Sequence, residues 1–465
     1  MNIVIIGGGG VGYELARNFS GKNQDVTIIE NDLERAAMLS DRLDVMTVTG
    51  DGANVAILEK AGIKKAQIVI AVTQVDEVNI IACMVAKRLG VSFTVARVRD
   101  VEYLERSHAL IQEQMGIDFI INPERAAALE MSKMIHFPDA SDIEYFAQGK
   151  VMMVGVTVDE RAGITNQSLL ELPLPTGCII VGIKRPQGKF IVPDGSDMVK
   201  PGDKIYLQGK SDVLRDVSGL LHHEHLKVQK VTILGGGMTG YQLASILEDK
   251  SKGRPFSVKL VEKDPARCDE LSSCLSRTLV LQGDATDLSF FKEEEIEDAD
   301  VLVAATRDDR TNLLAGVLGK QLGVKKFISI VSNLDYMSIF STLGIESVVN
   351  PHVITAAQIL RFTRTENVVA LSVLKDENAE VMELILPETA KVVGKKVSKA
   401  NFPRGMIIGA IVRDEEVIVP HGNTVLMAND RLIVFALPNI SRNLDSFFAG
   451  NQKKQNQKNR FSGAR

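Results

Sequence analysis

Residues 2–16 read NIVIIGGGGVGYELA, and residues 230–244 read KVTILGGGMTGYQLA. Each stretch passes from an apolar run through a glycine cluster into an amphipathic run, the pattern of a strand, a tight turn and a helix. In each the glycines are spaced G-x-G-x-x-G: Gly7, Gly9 and Gly12, then Gly235, Gly237 and Gly240. The first glycine allows the turn, the second lets a phosphate approach the backbone, and the third lets helix and strand pack closely. The amides of Gly8, Gly9, Gly10 and Val11, and in the second copy of Gly236, Gly237, Met238 and Thr239, are then expected to face a pyrophosphate at the helix N-terminus. The motif alone is weak evidence. It gains weight from an acid at the end of the next apolar run, Glu30 in VTIIEND and Glu262 in VKLVEKD. An acid there accepts hydrogen bonds from ribose hydroxyls and repels a 2′-phosphate, which points to NAD(H). Gly8 and Gly10 leave the first loop bare, so packing or a ligand must hold it.

Working outward, the two stretches open a long internal repeat. VTGDGAN (Asp51) is matched by LQGDATD (Asp284), IVIAVTQVDEVN (Thr73, Asn79) by VLVAATRDDRTN (Thr306, Asn312), and DFIINPERAAA by ESVVNPHVITA. Five apolar runs in the first copy, IVII, VTII, VMTV, IVIAV and FTVARV, alternate with amphipathic stretches. That alternation predicts an α/β fold: a doubly wound parallel sheet with right-handed crossovers, present twice. The tails repeat as well. LLELPLPTGCIIVGIKRPQGKFIVPDGSDMVKPGDKIYLQG is matched by VSKANFPRGMIIGAIVRDEEVIVPHGNTVLMANDRLIVFA, each with a central arginine (Arg185, Arg413) and an aspartate before the last strand (Asp203, Asp430). Short strands broken by Gly and Pro read as a small β-rich domain. The predicted order is therefore a Rossmann-like domain over 1–138, a small domain over 139–224, a second Rossmann-like domain over 225–365 and a second small domain over 366–450. A polar, basic tail over 451–465 reads as disordered.

Composition narrows the function. A net charge of −5 argues against general nucleic-acid binding, which needs a basic surface. The absence of Trp and an aromatic content of 5% argue against a base-stacking platform. No apolar run reaches the ~18 residues of a membrane span, and MNIVIIGGGG carries no secretory signal. The four cysteines form no CxxC pair and no zinc spacing, which predicts a reduced, cytoplasmic setting. The tract His222, His223, Glu224, His225 reads as a solvated linker rather than a metal site, having no second ligand cluster to partner it.

Further candidates for the nucleotide sites sit at strand ends, where open α/β sheets bind ligands. Asp51 and Asp284 lie beside the expected adenosine, or cap a helix. Thr73 and Gln74, with Thr306 and Arg307 in the second copy, follow the fourth strand, and Arg97 and Val98 end the fifth. Arg97 is placed to meet a phosphate or a neighbouring subunit. The second copy has Ile330 or Val331 there, and Pro123-Glu124 becomes Pro351-His352, so the first site looks the more complete.

Glu30-x-Asp32-x-x-Arg35, Glu262-x-Asp264-x-x-Arg267, the G-D-[AG] and A-x-T-x-x-[DE]-x-N runs, I-N-P-E and the duplicated tails together resemble the tandem regulator-of-K⁺-conductance (RCK, also called KTN) family over roughly residues 1–448. The resemblance implies NAD(H) as ligand, with ATP or ADP in many members. It implies a ring of paired units on the cytoplasmic face of a separate pore-forming potassium transporter like TrkH or TrkG, most simply a homo-tetramer. It implies a peripheral regulatory subunit of potassium uptake, not an enzyme and without a metal. Gly10, where members often carry a charge, leaves NAD against ATP open. The competing reading is an NAD-dependent oxidoreductase. It requires an acid/base group at the nicotinamide, and the first α/β unit offers only His108 and His136, neither near a predicted strand end.

Overall fold

A computed structural model describes residues 1–20, 24–100, 115–159, 162–215, 226–249, 256–345, 347–362, 368–374, 379–437, 440 and 448. The His222–His225 tract, His108 and the 451–465 tail lie outside the described residues.

The first α/β segment holds strands Asn2–Ile6 (β1), Asp25–Glu30 (β2), Met46–Thr49 (β3), Ile68–Ala71 (β4) and Phe93–Arg97 (β5). A sixth strand, Phe119–Ile121 (β6), exceeds the five read from sequence, because three residues are too few to display a period. The helices are Gly10–Ser20 (α1), Leu33–Arg42 (α2), Val55–Lys60 (α3), Asp76–Arg88 (α4) and Pro123–His136 (α5). The sheet is parallel in the order β3-β2-β1-β4-β5-β6. The order reverses between β1 and β4, so the switch point lies at the glycine turn. β1 and β4 are buried on both faces, which is why IVII and IVIA read as unbroken apolar runs.

The first small domain is an antiparallel sheet of Ala140–Phe146 (β7), Val151–Thr157 (β8), Cys178–Lys184 (β9), Phe190–Ile191 (β10) and Lys204–Lys210 (β11), with a short helix Ser211–Arg215 (α6). The second α/β segment repeats the first. It comprises Lys230–Leu234 (β12), Met238–Glu248 (α7), Ser257–Glu262 (β13), Pro265–Cys274 (α8), Leu279–Gln282 (β14), Leu288–Glu293 (α9) and Val301–Ala304 (β15). Asp309–Gln321 (α10), Lys326–Ile330 (β16), Leu334–Thr342 (α11), Ser347–Val349 (β17) and Pro351–Phe362 (α12) complete it, in the order β14-β13-β12-β15-β16-β17. The second small sheet is Val368–Leu374 (β18), Ala379–Ile385 (β19), Met406–Arg413 (β20), Glu416–Ile418 (β21) and Arg431–Ala436 (β22), ordered β18-β19-β22-β20-β21. This is the mirror-written order of the first, β10-β9-β11-β8-β7, and so the same topology.

The chain divides into two compact units, Met1–Ile135 with Val228–Thr363, and His136–Lys227 with Arg364–Arg465. Each unit thus pairs corresponding pieces of the two repeats. Within the α/β unit the last helix of each half is exchanged. Ala127, Ala128, Met131 and Ile135 of α5 share a core with Val231, Ile233 and Leu243 of the second half. Ala356 and Ile359 of α12 share a core with Ile3, Ile5 and Leu15 of the first. The apolar face that each helix must bury is covered by the other copy's sheet.

In the small-domain unit, the repeated Arg and Asp of the two tails form ion pairs. Arg413 donates to Asp430 from Nε at 2.7 Å and Nη2 at 2.9 Å, and Arg185 pairs with Asp203. The two sheets meet through Val181, Tyr206, Ala410 and Phe435, with the Phe190 and Phe435 rings stacked 5.7 Å apart. Buried Glu383 ties them by accepting the Ala147 amide at 2.9 Å and Arg431 Nη1 at 2.5 Å.

Candidate nucleotide site

Gly7 adopts φ +100° and Gly235 φ +107°, a left-handed backbone that lets β1 and β12 turn sharply into α1 and α7. A β-carbon at Gly12 would lie 1.9 Å from the Gly7 carbonyl oxygen, so only glycine lets the helix rest on the turn. No described atom lies within 4 Å of a β-carbon built at Gly9 or Gly237, so this side of each turn is open to an approaching group.

The acid at the end of β2 is anchored to the turn. Glu30 is 4% exposed, and its Oε2 accepts the Gly8 amide at 2.7 Å while Oε1 accepts the Asp32 amide at 3.0 Å. Glu262 repeats this, accepting Gly236 at 2.8 Å, Lys263 at 2.7 Å and Asp264 at 3.0 Å. This corrects the set of free amides read from sequence. Gly8 and Gly236 are spent on the acid. The first amide to donate along the helix is Tyr13, to the Gly9 carbonyl at 2.8 Å, or Tyr241 to Gly237 at 2.9 Å. The N-terminal donors without an intrahelical acceptor are therefore those of Gly10, Val11 and Gly12, and of Met238, Thr239 and Gly240. A carboxylate has about four lone-pair positions, so Glu30 keeps acceptor capacity after both amides are served.

The strand-end candidates prove to be a brace. Asn79 Oδ1 accepts the Thr73 amide and hydroxyl, both at 2.8 Å, and its Nδ2 donates to the Arg97 carbonyl at 2.9 Å. Asn312 ties Thr306 to the Ile330 carbonyl in the same way. Asn79 and Asn312 thus hold the ends of neighbouring strands at the C-terminal edge of each sheet. In the amino-acid sequence they stand out only as landmarks of the repeat, although a matched Thr and Asn six apart is the available signal. Val98 is fully buried with its amide donated to Ile121 at 2.9 Å, so its side chain belongs to the core. The Gln74 carbonyl accepts from Arg99 Nη2.

Asp51 and Asp284 are not helix caps. Asn54 caps α3 and Asp287 caps α9. Asp51 accepts the Ala53 amide at 2.9 Å, closing a local turn. Asp284 accepts the Thr286 hydroxyl at 2.7 Å and Lys263 Nζ at 2.9 Å, and these partners hold its carboxyl down at about 2.

At the end of β5, Arg97 Nη2 lies 3.3 Å from Glu124 Oε1. Arg97 Nε and Glu124 Oε2 are buried without hydrogen bonds. A third group joins them from the other half of the repeat. The His352 ring stands over Gly10, where a β-carbon would lie 2.4 Å from Nδ1. In the amino-acid sequence His352 stands out only as a departure from the first copy's Glu124. The proximity is not legible there because α12, which carries His352, is delivered across the pair.

Two glycine turns in parallel sheets, paired through exchanged helices and each followed by a small antiparallel domain, define a tandem Rossmann-type protein. The comparisons agree in detail. The TrkA-N domain matches residues 3–123 and 231–351, and the TrkA-C domain matches residues 153–222 and 381–449. The chain belongs to the TrkA family. A Methanosarcina mazei relative named Trk system potassium uptake protein TrkA homolog 1 is 35% identical, over 96% of this chain and 100% of its own. The Trk system potassium uptake protein TrkA of Halomonas elongata is 33% identical over 94% and 96%. The fold is that of the GsuK RCK domain, with a TM-score of 0.62 at 18% identity, covering 96% of this chain and 94% of that one. The GsuK channel bound to NAD superposes equally, with the match covering 78% of its chain.

Proposed function

We propose that this chain is the cytosolic nucleotide-binding regulatory subunit of a membrane potassium-uptake system, with NAD(H) as the ligand of its first site. The observation that carries this reading is the braced Glu30 carboxylate beside the Gly7–Gly12 turn. It sits where ribose hydroxyls meet an acid when a pyrophosphate occupies the helix N-terminus. The second site, with Glu262 and the turn at Gly235–Gly240, binds a nucleotide in the same manner, and ATP or ADP compete for either ribose acid. Regulation is by population shift: a nucleotide that binds two arrangements of the paired α/β domains unequally biases them, and the bias reaches the pore. The partner is a pore-forming potassium transporter of the TrkH/TrkG kind, and the working assembly is a homo-tetramer on the cytoplasmic face.

The chain is not an enzyme in this reading. His352, the histidine at the first site, stands at the phosphate end of the turn rather than beyond it, where hydride chemistry would need an acid. A thermal-unfolding titration with NAD, NADH, NADPH, ADP and ATP tests the reading, since ligands of the native state raise its melting temperature. NADH should raise it well above NADPH. No shift with any nucleotide would overturn the proposal.

A further inference from the structure

His352 is distant from Gly10 in sequence but shares its space. The ring lies against the first turn of α1, where the amides of Gly10, Val11 and Gly12 converge, with the open side of Gly9 adjacent. Any side chain at position 10 would displace the ring, so Gly10 and His352 form one fitted pair. The surroundings are polar. Arg97 from β5 and Glu124 from α5 face the ring, as do Asp309 at the start of α10 and the Ser332 carbonyl. Arg99 and Asp76 stand behind Arg97. The second site has no counterpart: Met238 replaces Gly10, and the residue aligned with His352 is Glu124.

We propose that His352 completes the first half's nucleotide site, its imidazole facing the phosphates bound at the α1 N-terminus and taking up a proton as they bind. This rests on the nucleotide reading above. Before binding, burial and the Arg97 charge hold the ring's pKa below its ordinary value, with the Ser332 carbonyl, Glu124 and Asp309 opposing them, so the ring is neutral around neutral pH. A bound phosphate reverses the local sign and favours the imidazolium. Arg97 Nε, buried without an acceptor, is a second donor on the same side. Linkage then sets the direction. Between the free and bound pKa values of His352, affinity rises about tenfold per pH unit of acidification, because binding takes up one proton. The first site would read proton and nucleotide together, and only in a chain whose two halves are paired.

The full chain is titrated calorimetrically with oxidised NAD, whose pyrophosphate does not itself titrate in this range, at about pH 6 and about pH 8. Buffers of different ionisation enthalpy report the proton count. Tighter binding at the lower pH, with proton uptake that His352→Gln abolishes, is the result expected. Equal affinity at both pH values, or a pH dependence retained in His352→Gln, would overturn the role of His352 while leaving the nucleotide site standing. Absence of NAD binding at both pH values would remove the site reading and this inference together. A geometric check is independent of ligand. Gly10→Ala should lower the melting temperature in the wild-type chain and much less in a His352→Ala background. An equal loss in both backgrounds would show that the ring is not over Gly10.

Discussion

Glu30 accepts two backbone amides, so its carboxylate is held in place for the ribose contact proposed above. Preorganisation of this kind makes a charge-assisted hydrogen bond worth more than the same bond to a free side chain. Glu30→Ala should weaken NADH binding by about 1–3 kcal/mol and erase most of the preference over NADPH. Equilibrium fluorescence titration of both nucleotides measures this, and an unchanged preference would remove Glu30 from the ribose contact. In the small-domain unit, Asp430 is 1% exposed and serves Arg413 twice and the Met427 amide at 2.8 Å. Asp430→Ala leaves Arg413 Nε and the Met427 amide without that acceptor, with Arg413 Nη2 keeping only the Val425 carbonyl at 2.8 Å, and should cost about 2–3 kcal/mol, read as a lower urea midpoint.

At the scale of elements, the exchange of α5 and α12 makes each sheet depend on a helix from the other half. Ile359 is fully buried against the first half's core although it lies near the end of the second. Ile359→Ala removes packed volume there and should destabilise the α/β unit by about 2–5 kcal/mol. It should also weaken NAD binding at the first site more than Ile233→Ala does, because α12 carries His352. Calorimetric unfolding with and without NAD distinguishes the two. Equal effects on binding would mean that α12 contributes packing alone.

For the whole molecule, no described helix is long and apolar enough to cross a membrane. In the function proposed above the chain attaches to a transporter through its surface, and a polar attachment is screened by salt. Membranes washed in high salt should release the chain, while retention after such washing would argue for a different anchor. Light scattering on the purified chain should report a homo-oligomer, since a surface repeated within a chain closes by symmetry; a strict monomer would contradict the ring. Arg97 lies between the first site and a helix of the paired half, in contact with Glu124 and within the field of His352. Arg97→Ala should weaken the effect of nucleotide on potassium flux more than it lowers the melting temperature.

Local residue chemistry determined much of this protein without help from tertiary structure. The two glycine turns, the acids that follow them and the alternation of apolar and amphipathic runs depend on spacings of a few residues, and all were legible in the amino-acid order. The repeat of Arg185 with Asp203 and of Arg413 with Asp430 was legible too, though not that each couple is an ion pair. Three things were decided only by the folded chain. Gly8 and Gly236 give their amides to the acids, because the strand and turn bring a carboxylate within 2.7–2.8 Å of them. Asn79 and Asn312 reach across to the neighbouring strand, a contact set by sheet order rather than by periodicity. The exchange of α5 and α12 sets His352 over Gly10. Either helix would present the same apolar face to its own sheet or to its partner's, so nothing local distinguishes the two. The choice belongs to long-range packing, and through it the first site acquires a residue from the far half of the chain.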